Sequence, residues 1–237
     1  MNREPRTKIY ILHGWSYSLE KWQLFMSALK NNKLSPLLLK IPGLTDEIES
    51  PWTIENYVDW LFDKVKNEKK IILIGHSNGG RIAMNFALKY QNKIEKLILI
   101  DSAGIYHNDL PVKIKRKVFK LLAKTGRKIF SFVPARKFLY MLAGESDYKK
   151  ANEIMRKTMT NLIESDKTLE PDRIINSAII IWGRKDSITP LSDARELNRQ
   201  IANSKLYIVN NARHSPQFTH VQEVVDIIAK QFNNEAI

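Results

Sequence analysis

The chain has 237 residues, no cysteine, and 38 lysines and arginines against 25 aspartates and glutamates, which gives a formal net charge of +13. This length fits one domain, or one domain with an insertion, and the missing cysteines exclude disulfides and thiolate metal sites. No apolar run approaches the ~20 residues of a membrane-spanning helix, and the polar residues 1–7 lack the pattern of a secretion signal. We therefore expect a cytoplasmic protein that is not integral to a membrane.

Strand-like and helical stretches alternate along most of the chain. Apolar runs typical of buried strands lie at 8–12, 36–41, 70–74, 96–101, 178–182 and 205–209. Apolar residues at helical spacing follow at 20–30, after the N-cap candidate Thr53, after Gly80, and at 191–201 and 221–232. The alternation predicts an α/β fold with a mostly parallel sheet of about six strands flanked by helices.

The alternation stops between residues 105 and 172, where helical stretches at 112–124, 135–142 and 148–163 occur without a strand-like run. We interpret this segment as a helical cap inserted after the fourth strand, with residues 1–104 and 173–237 forming the core. The positive charge is also concentrated here. Residues 111–144 contain ten basic and no acidic residues, whereas the other 203 residues carry 28 basic and 25 acidic ones.

The third strand runs directly into Gly75-His76-Ser77-Asn78-Gly79, a G-x-S-x-G pattern with a helix beyond it. In a turn of this kind, called a nucleophile elbow, the serine takes a strained conformation that exposes its hydroxyl. Small residues two positions before and after the serine keep the backbones from clashing, and Gly75 and Gly79 occupy both positions. The pattern predicts Ser77 as a nucleophile.

A base and an acid are expected on loops at the carboxyl ends of parallel strands. His214 follows the sixth strand, and its imidazole can take and return the Ser77 proton near neutral pH. Asp186 follows the fifth strand and would hold the imidazole in the required tautomer. Asp101, which ends the fourth strand, is the alternative acid, and its other interpretation is a turn residue.

Two backbone N–H groups are needed to bind the oxyanion of a tetrahedral intermediate. We assign them to Asn78, directly after the nucleophile, and to Trp15, in the loop after the first strand. His13, Gly14 and His76 complete the substrate-binding set, because they lie beside that loop and the elbow. We expect His13 and His76 to hold loops together rather than to transfer protons.

With these residues identified, the chain resembles the α/β-hydrolase superfamily over nearly its whole length. The motifs HGW, GHSNGG, WGRKDSITP and ARHSP stand in family order. Among subfamilies it looks like the small capped carboxylesterases, the meta-cleavage-product carbon–carbon hydrolases and the pimeloyl-carrier-protein methyl ester esterases. This resemblance implies a substrate cleft between Ser77 and the cap, and neither a metal nor a cofactor is expected.

Three features of the chain depart from common family patterns. Ser77 stands where haloalkane dehalogenases and epoxide hydrolases carry aspartate, which argues against those reactions. Only seven residues precede the first strand, so we expect a trimmed sheet, and Arg213 replaces the usual glycine before the histidine. The predicted function is a serine carboxylesterase that hydrolyses carboxylic esters, including lactones, through an acyl-enzyme.

Other functions stay open at this point. The alternatives are a carbon–carbon hydrolase of meta-cleavage products, a carrier-protein-linked methyl ester esterase, and a non-catalytic receptor that keeps the fold. The basic cap is a solvated surface on the simplest interpretation. On the functional one it attracts an acidic carrier protein or an anionic surface, and a nucleic-acid partner is not expected because no recognition motif accompanies the charge.

Overall fold

The computed structural model describes residues 7–16, 18–107 and 153–233 of the chain. Within these ranges the strands form one sheet in the order β2-β1-β3-β4-β5-β6, and every neighbouring pair is parallel. The predicted α/β fold with six parallel strands is confirmed. The strands are β1 Lys8–Leu12, β2 Pro36–Leu38, β3 Ile71–His76, β4 Ile94–Ile100, β5 Ser177–Gly183 and β6 Ser204–Val209.

The helices of the described ranges lie between the strands, as the alternation predicts. A capping box formed by Thr53 and Asn56 begins α2, so the predicted N-cap is confirmed. The predicted helices at 112–124 and 135–142, with the whole basic segment, lie outside the described residues. The helices are α1 Gln23–Asn31, α2 Ile54–Val65, α3 Asn78–Lys89, α4 Glu153–Ser165, α5 Leu191–Gln200, α6 Pro216–Thr219 and α7 Val221–Asn233.

The core lies on both faces of the sheet, because side chains alternate between the faces along each strand. In β1, Tyr10 and Leu12 contact the cluster that includes residues of α2, α3 and α5, whereas Ile9 and Ile11 contact the cluster that includes residues of α1 and α7. Strands buried on both faces read as continuous apolar runs, which explains why Ile71–Ile74 and Leu97–Ile100 show no polar alternation.

Strand β2 is shorter than the predicted run 36–41. Leu39 N–H still donates to Ile11 O at 3.0 Å, but Ile41 N–H donates to the hydroxyl of Thr45 at 2.9 Å instead of to a neighbouring strand. Pro42 has no N–H, and Gly43 takes a left-handed conformation with φ 81°. The hydrogen bonds to β1 therefore end after Leu39, and the chain turns at Pro42 and Gly43.

Part of the predicted cap packs on the core. Helix α4 buries Met155, Met159 and Leu162 in the same cluster as Tyr57 of α2. The hydroxyl of Thr158 accepts the N–H of Trp52 at 3.0 Å. The limits of the cap, 105–172, stay a prediction, since most of that segment is not described. In the described ranges, no helix combines the length and apolarity needed to span a bilayer.

The strand order places the predicted site. From β1 the chain moves to β2 on one side and then to β3 on the other, so the direction of winding reverses between β1 and β3. Loops at the carboxyl ends of two such strands diverge and leave a crevice for ligands. Gly14 follows β1 and Ser77 follows β3. The loop with the predicted oxyanion donor Trp15 and the predicted nucleophile therefore lie where the winding reverses.

Candidate active site

Ser77 has the backbone geometry expected of a nucleophile elbow. It joins β3 to α3 with φ 53° and ψ −120°, a conformation that is rare for residues with a side chain. A Cβ added to Gly75 would lie 2.6 Å from Gly79 O, and one added to Gly79 would lie 2.2 Å from Leu12 O. Glycine is therefore required at both positions, as the motif predicted.

His214 and Asp186 are in direct contact. His214 Nδ1 lies 2.8 Å from Asp186 Oδ2, and the Asp186 side chain is fully buried whereas that of His214 is 15% exposed. Asp186 Oδ1 also accepts the N–H groups of Ile188 and Thr189 at 2.7 and 3.1 Å, and Oδ2 accepts the Thr189 hydroxyl at 2.7 Å. A carboxylate held in this way accepts the Nδ1–H group, which makes Nε2 the unprotonated nitrogen of the neutral ring.

The structure brings Ser77 and His214 to the same end of the sheet but does not join them. His76, the residue before Ser77, has its ring centroid 5.0 Å from that of His214, and its Nε2 lies 3.2 Å from the hydroxyl of Ser215. In the described part of the chain, no hydrogen bond links Ser77 Oγ to His214. Catalytic hydrogen bonds in ligand-free enzymes are often long and tighten when substrate binds.

Asp101, the alternative acid, makes different contacts. It is fully buried, and its Oδ1 accepts Gly183 N–H at 2.8 Å while its Oδ2 accepts Ser215 N–H at 2.7 Å. Burial raises the pKa of the Asp101 carboxyl to about 7, and the charge of Asp186 adds to the shift. Asp101 thus bridges the last residue of β5 and the loop after β6, and the geometry favours Asp186 as the acid.

The loop after β1 is held by a chain of three hydrogen bonds. Ile41 N–H donates to Thr45 Oγ1, Thr45 Oγ1 lies 2.9 Å from His13 Nε2, and His13 Nδ1 lies 2.7 Å from Gly14 O. Because a carbonyl only accepts, the Nδ1 of His13 carries the proton and the Thr45 hydroxyl donates to Nε2. Burial lowers the pKa of His13 to about 4, so the ring is neutral.

This chain of bonds fixes the direction of one proposed oxyanion donor. The Gly14 carbonyl points toward His13, and in a trans peptide the following N–H, that of Trp15, points the opposite way. Among the described residues, neither Trp15 N–H nor Asn78 N–H has a hydrogen-bond acceptor. A Cβ added to Gly14 would lie 3.0 Å from Ser77 Cβ, so the loop contacts the elbow directly.

His76 is the second buried histidine at the elbow. Burial lowers its pKa well below the ordinary value, and the nearby rings of His214 and His13 lower it further. Its ring lies 6.0 Å from that of Trp22 and 6.2 Å from that of Phe218. These contacts fit the expected role of His76 in holding loops together.

Three polar residues near the site were not predicted from the sequence. Arg81 of α3 donates to Asn78 and to Asp166, and Thr45 and Thr189 orient His13 and Asp186. Arg81 carries a detectable signal, since it is a charged residue in the apolar stretch after Gly80. The two threonines carry none, because their partners are identified only by the fold.

Comparisons with known proteins agree with this architecture. The pimeloyl-[acyl-carrier protein] methyl ester esterase of Proteus mirabilis is 24% identical, over 96% of this chain and 93% of its own length. A meta-cleavage product hydrolase from Pseudomonas fluorescens superposes with a TM-score of 0.67 at 16% identity, over 97% of this chain and 91% of its own. A thermophilic esterase from Thermogutta terrifontis gives a TM-score of 0.70 at 19% identity, over 96% and 90%.

The family assignment follows from a direct match. The model of the alpha/beta hydrolase fold family matches residues 8–221, which include all six strands and each of the predicted site residues. Together with the relatives, this match supports hydrolase activity. The chain belongs to the α/β-hydrolase family.

Proposed function

We propose that the protein is a serine hydrolase that cleaves carboxylic esters, lactones among them, through an acyl-enzyme on Ser77. The observation that carries the proposal is the 2.8 Å contact between His214 Nδ1 and Asp186 Oδ2 at the sheet end where Ser77 forms its strained elbow. A serine, an oriented imidazole and a buried carboxylate are the groups that acyl transfer requires.

In the first half of the reaction, Ser77 becomes acylated and the alcohol is released. Ser77 Oγ attacks the ester carbonyl carbon while its proton moves to His214 Nε2. The carbonyl oxygen becomes an oxyanion, which accepts the N–H groups of Trp15 and Asn78. The C–O bond to the alcohol then breaks, the alkoxide takes the proton from His214, and the acyl group remains on Ser77.

The second half repeats these steps with water. His214 Nε2 removes a proton from a water molecule, and the resulting hydroxide attacks the acyl carbon through a second oxyanion. The bond to Ser77 Oγ breaks, and the serine recovers its proton from His214. Asp186 stays ionised throughout and stabilises the imidazolium that forms in both halves.

The test is a substrate screen with purified protein. It covers nitrophenyl esters of increasing acyl length, lactones, and a dienol diketo acid of the kind that carbon–carbon hydrolases cleave. We expect hydrolysis of at least one ester class and its loss in Ser77→Ala. The matched control is Ser102→Ala, because Ser102 is a buried serine in the loop after β4 and donates to a neighbouring carbonyl.

The outcomes of the screen separate the alternatives. Hydrolysis that persists in Ser77→Ala would contradict the proposal. Cleavage of the diketo acid without any ester would favour a carbon–carbon hydrolase, and inactivity toward every class would favour a non-catalytic receptor.

A carrier-linked ester is the second candidate substrate, favoured by the ten uncompensated basic residues of 111–144. A concentrated positive field attracts an acidic carrier protein, or an anionic surface, by a force that salt screens. Reversal of charge at Lys115, Arg116 and Lys117 should weaken carrier binding at low salt more than at high salt. Reversal of charge at three exposed lysines outside the predicted cap, Lys21, Lys30 and Lys64, is the control. Equal affinity in both sets would contradict a carrier site.

A further inference from the structure

Arg81 links Asp166 to Asn78 in a buried polar network beside the elbow. Its Nε and Nη2 donate to the two carboxylate oxygens of Asp166 at 2.6 and 2.8 Å, and its Nη1 donates to Asn78 Oδ1 at 2.6 Å. Asn78 is 4% exposed, and Arg81 and Asp166 are each 7% exposed. Asp166 directly follows α4, 85 positions further along the chain, within the predicted cap.

We propose that Arg81 and Asp166 are positioning residues for the oxyanion hole, acting through the side chain of Asn78. This inference rests on the proposed function, in which the backbone N–H of Asn78 is one of the two oxyanion donors. It concerns groups that do not touch the substrate and that no part of the proposed mechanism uses.

The geometry of Arg81 fixes the Asn78 side chain. A guanidinium that is held at two points by one carboxylate has its plane set, so the two N–H groups of its Nη1 point in fixed directions. The side-chain oxygen of Asn78 accepts one of them. A lysine at position 81 would present one ammonium and could not hold both Asp166 oxygens and the Asn78 amide in the same arrangement.

The contact between Arg81 and Asn78 restrains the first turn of α3. Ser77 stands at the N-cap position without a side-chain hydrogen bond to the helix, so the usual restraint on a helix start is missing. The backbone N–H groups of Gly80 and Arg81 donate to Ser77 O at 2.9 and 3.3 Å and close the turn, and Ala103 N–H donates to the same oxygen at 3.0 Å. The bond between the side chains of Arg81 and Asn78 restrains the same turn from outside and leaves Asn78 N–H open to the oxyanion.

Stability alone gives little reason for the network. Replacing a buried ion pair by apolar residues is often neutral or stabilising, because desolvation offsets the attraction between the charges. Among the residues that the structure describes, the buried Nδ2 group of Asn78 has no hydrogen-bond partner, which is unfavourable in itself. A network that adds little stability and ends on a proposed oxyanion donor is better explained by positioning.

The test is a double-mutant cycle measured on kcat, with Arg81→Lys, Asn78→Ala and the double variant. Asn78→Ala keeps the backbone N–H and removes only the side chain on which Arg81 acts. We expect Arg81→Lys to lower kcat by about 10- to 100-fold with KM within about twofold, since small displacements of catalytic groups cost this much. In the Asn78→Ala background, Arg81→Lys should have no further effect.

A boronic acid inhibitor gives an independent readout, because its tetrahedral adduct places an oxygen in the hole. In Arg81→Lys, the affinity for the inhibitor should fall by the same factor as kcat. Asp166→Glu keeps a carboxylate for Arg81, so it should retain more activity than Asp166→Asn. The matched control is Lys89→Gln, which breaks the exposed ion pair between Lys89 at the end of α3 and Asp59 at 2.6 Å. This control should leave kcat and inhibitor affinity unchanged.

The outcomes distinguish the two proposals. Additive losses in the cycle, unchanged kcat in folded Arg81→Lys, or a rise in KM alone would overturn the positioning role while the proposed function stands. A wild-type protein that shows no burst of acyl-enzyme and no inhibition by the boronic acid would overturn both. If Arg81→Lys does not fold, the comparison of Asp166→Asn with Asp166→Glu decides by the same kcat and inhibitor measurements.

Discussion

The two sides of the candidate site differ in charge. The nucleophile side, formed by the ends of β1 and β3, contains Ser77, the Trp15 and Asn78 amides, and two histidines that burial keeps neutral. The acid–base side, formed by the ends of β4, β5 and β6, contains His214 together with the carboxyls of Asp101 and Asp186. An oxyanion would develop on the first side and an imidazolium on the second, so each side suits the charge that the proposed reaction places there.

The two sides are also held by different means. On the nucleophile side, uncharged partners hold the Gly14 loop, from Thr45 through His13 to the Gly14 carbonyl, and one buried ion pair, Arg81 with Asp166, supports Asn78. On the acid–base side, ionisable carboxyls accept backbone N–H groups from the neighbouring loops. Changes on the first side should therefore alter transition-state stabilisation with little pH dependence, whereas changes on the second should alter proton transfer and the pH dependence of stability.

The largest expected effect comes from the acid. Asp186→Asn should lower kcat on the order of 10⁴-fold, because an amide at this position no longer stabilises the imidazolium and favours the wrong tautomer of His214. Asp101→Asn should cost much less, since Asp101 bonds to backbone amides and not to His214. Steady-state kinetics on the best ester, with circular dichroism to check folding, decides between them. A larger loss in Asp101→Asn would reverse the assignment of the acid.

On the nucleophile side, Gly14→Ala should lower kcat by about 10²- to 10³-fold, the cost of losing one oxyanion donor. The new Cβ would lie 2.9 Å from His76 Nδ1 and 3.0 Å from Ser77 Cβ, so the loop and the elbow must separate. The shape of the pH–rate profile should not change, because the acid–base side is untouched. A kcat within twofold of the wild type would show that the loop does not supply a donor.

Asp101 should also affect how stability depends on pH. Its pKa is raised to about 7 from 3.8, so the folded protein retains its proton in that interval more strongly than the unfolded chain. This group therefore makes the free energy of unfolding rise as pH falls through the interval, by at most about 1.4 kcal/mol per pH unit. His13, with its pKa lowered to about 4 from 6.5, acts in the opposite direction below pH 6.5.

Asp101→Asn removes the first contribution and leaves the second. The free energy of unfolding of the variant should thus decline more steeply on acidification than that of the wild type. Urea titrations between about pH 4.5 and 8 measure the difference, in which contributions common to both proteins cancel. Parallel curves would show that Asp101 is ionised throughout this range.

The smallest expected effect comes from the support behind the Gly14 loop. Thr45→Val removes the hydroxyl that contacts His13 Nε2 and accepts Ile41 N–H, which should lower the free energy of unfolding by about 1 to 3 kcal/mol and kcat by less than about tenfold. Thr160→Val at an exposed position is the control and should stay within about 0.5 kcal/mol. Equal stability of both variants would exclude the hydrogen-bonded chain.

The sequence predicted the sheet, the helix order and the elbow because these depend on local patterns. Apolar runs and helical spacing identify the strands and helices, and a glycine two residues either side of Ser77 identifies a tight turn. The choice between Asp101 and Asp186 could not be settled in this way. Both follow neighbouring parallel strands, and only the positions of Gly183 N–H, Ser215 N–H and His214 Nδ1 distinguish them.

Contacts between distant residues were beyond sequence reasoning for a related reason. Arg81 and Asp166 are 85 positions apart, and nothing in either neighbourhood indicates the other. Substrate preference could not be predicted for the same reason, because the shape of a substrate pocket depends on tertiary packing. The sequence identifies the candidate site residues, whereas the residues that contact them are determined by tertiary packing.

Covalent labelling shows whether Ser77 is the nucleophile, on which the proposed function depends. Purified protein is treated with a fluorophosphonate, and the adduct is located by peptide mass spectrometry. We expect a single adduct on Ser77, formed far more slowly in His214→Ala and absent in Ser77→Ala. An adduct on another residue, or equal labelling of Ser77→Ala and the wild type, would contradict it.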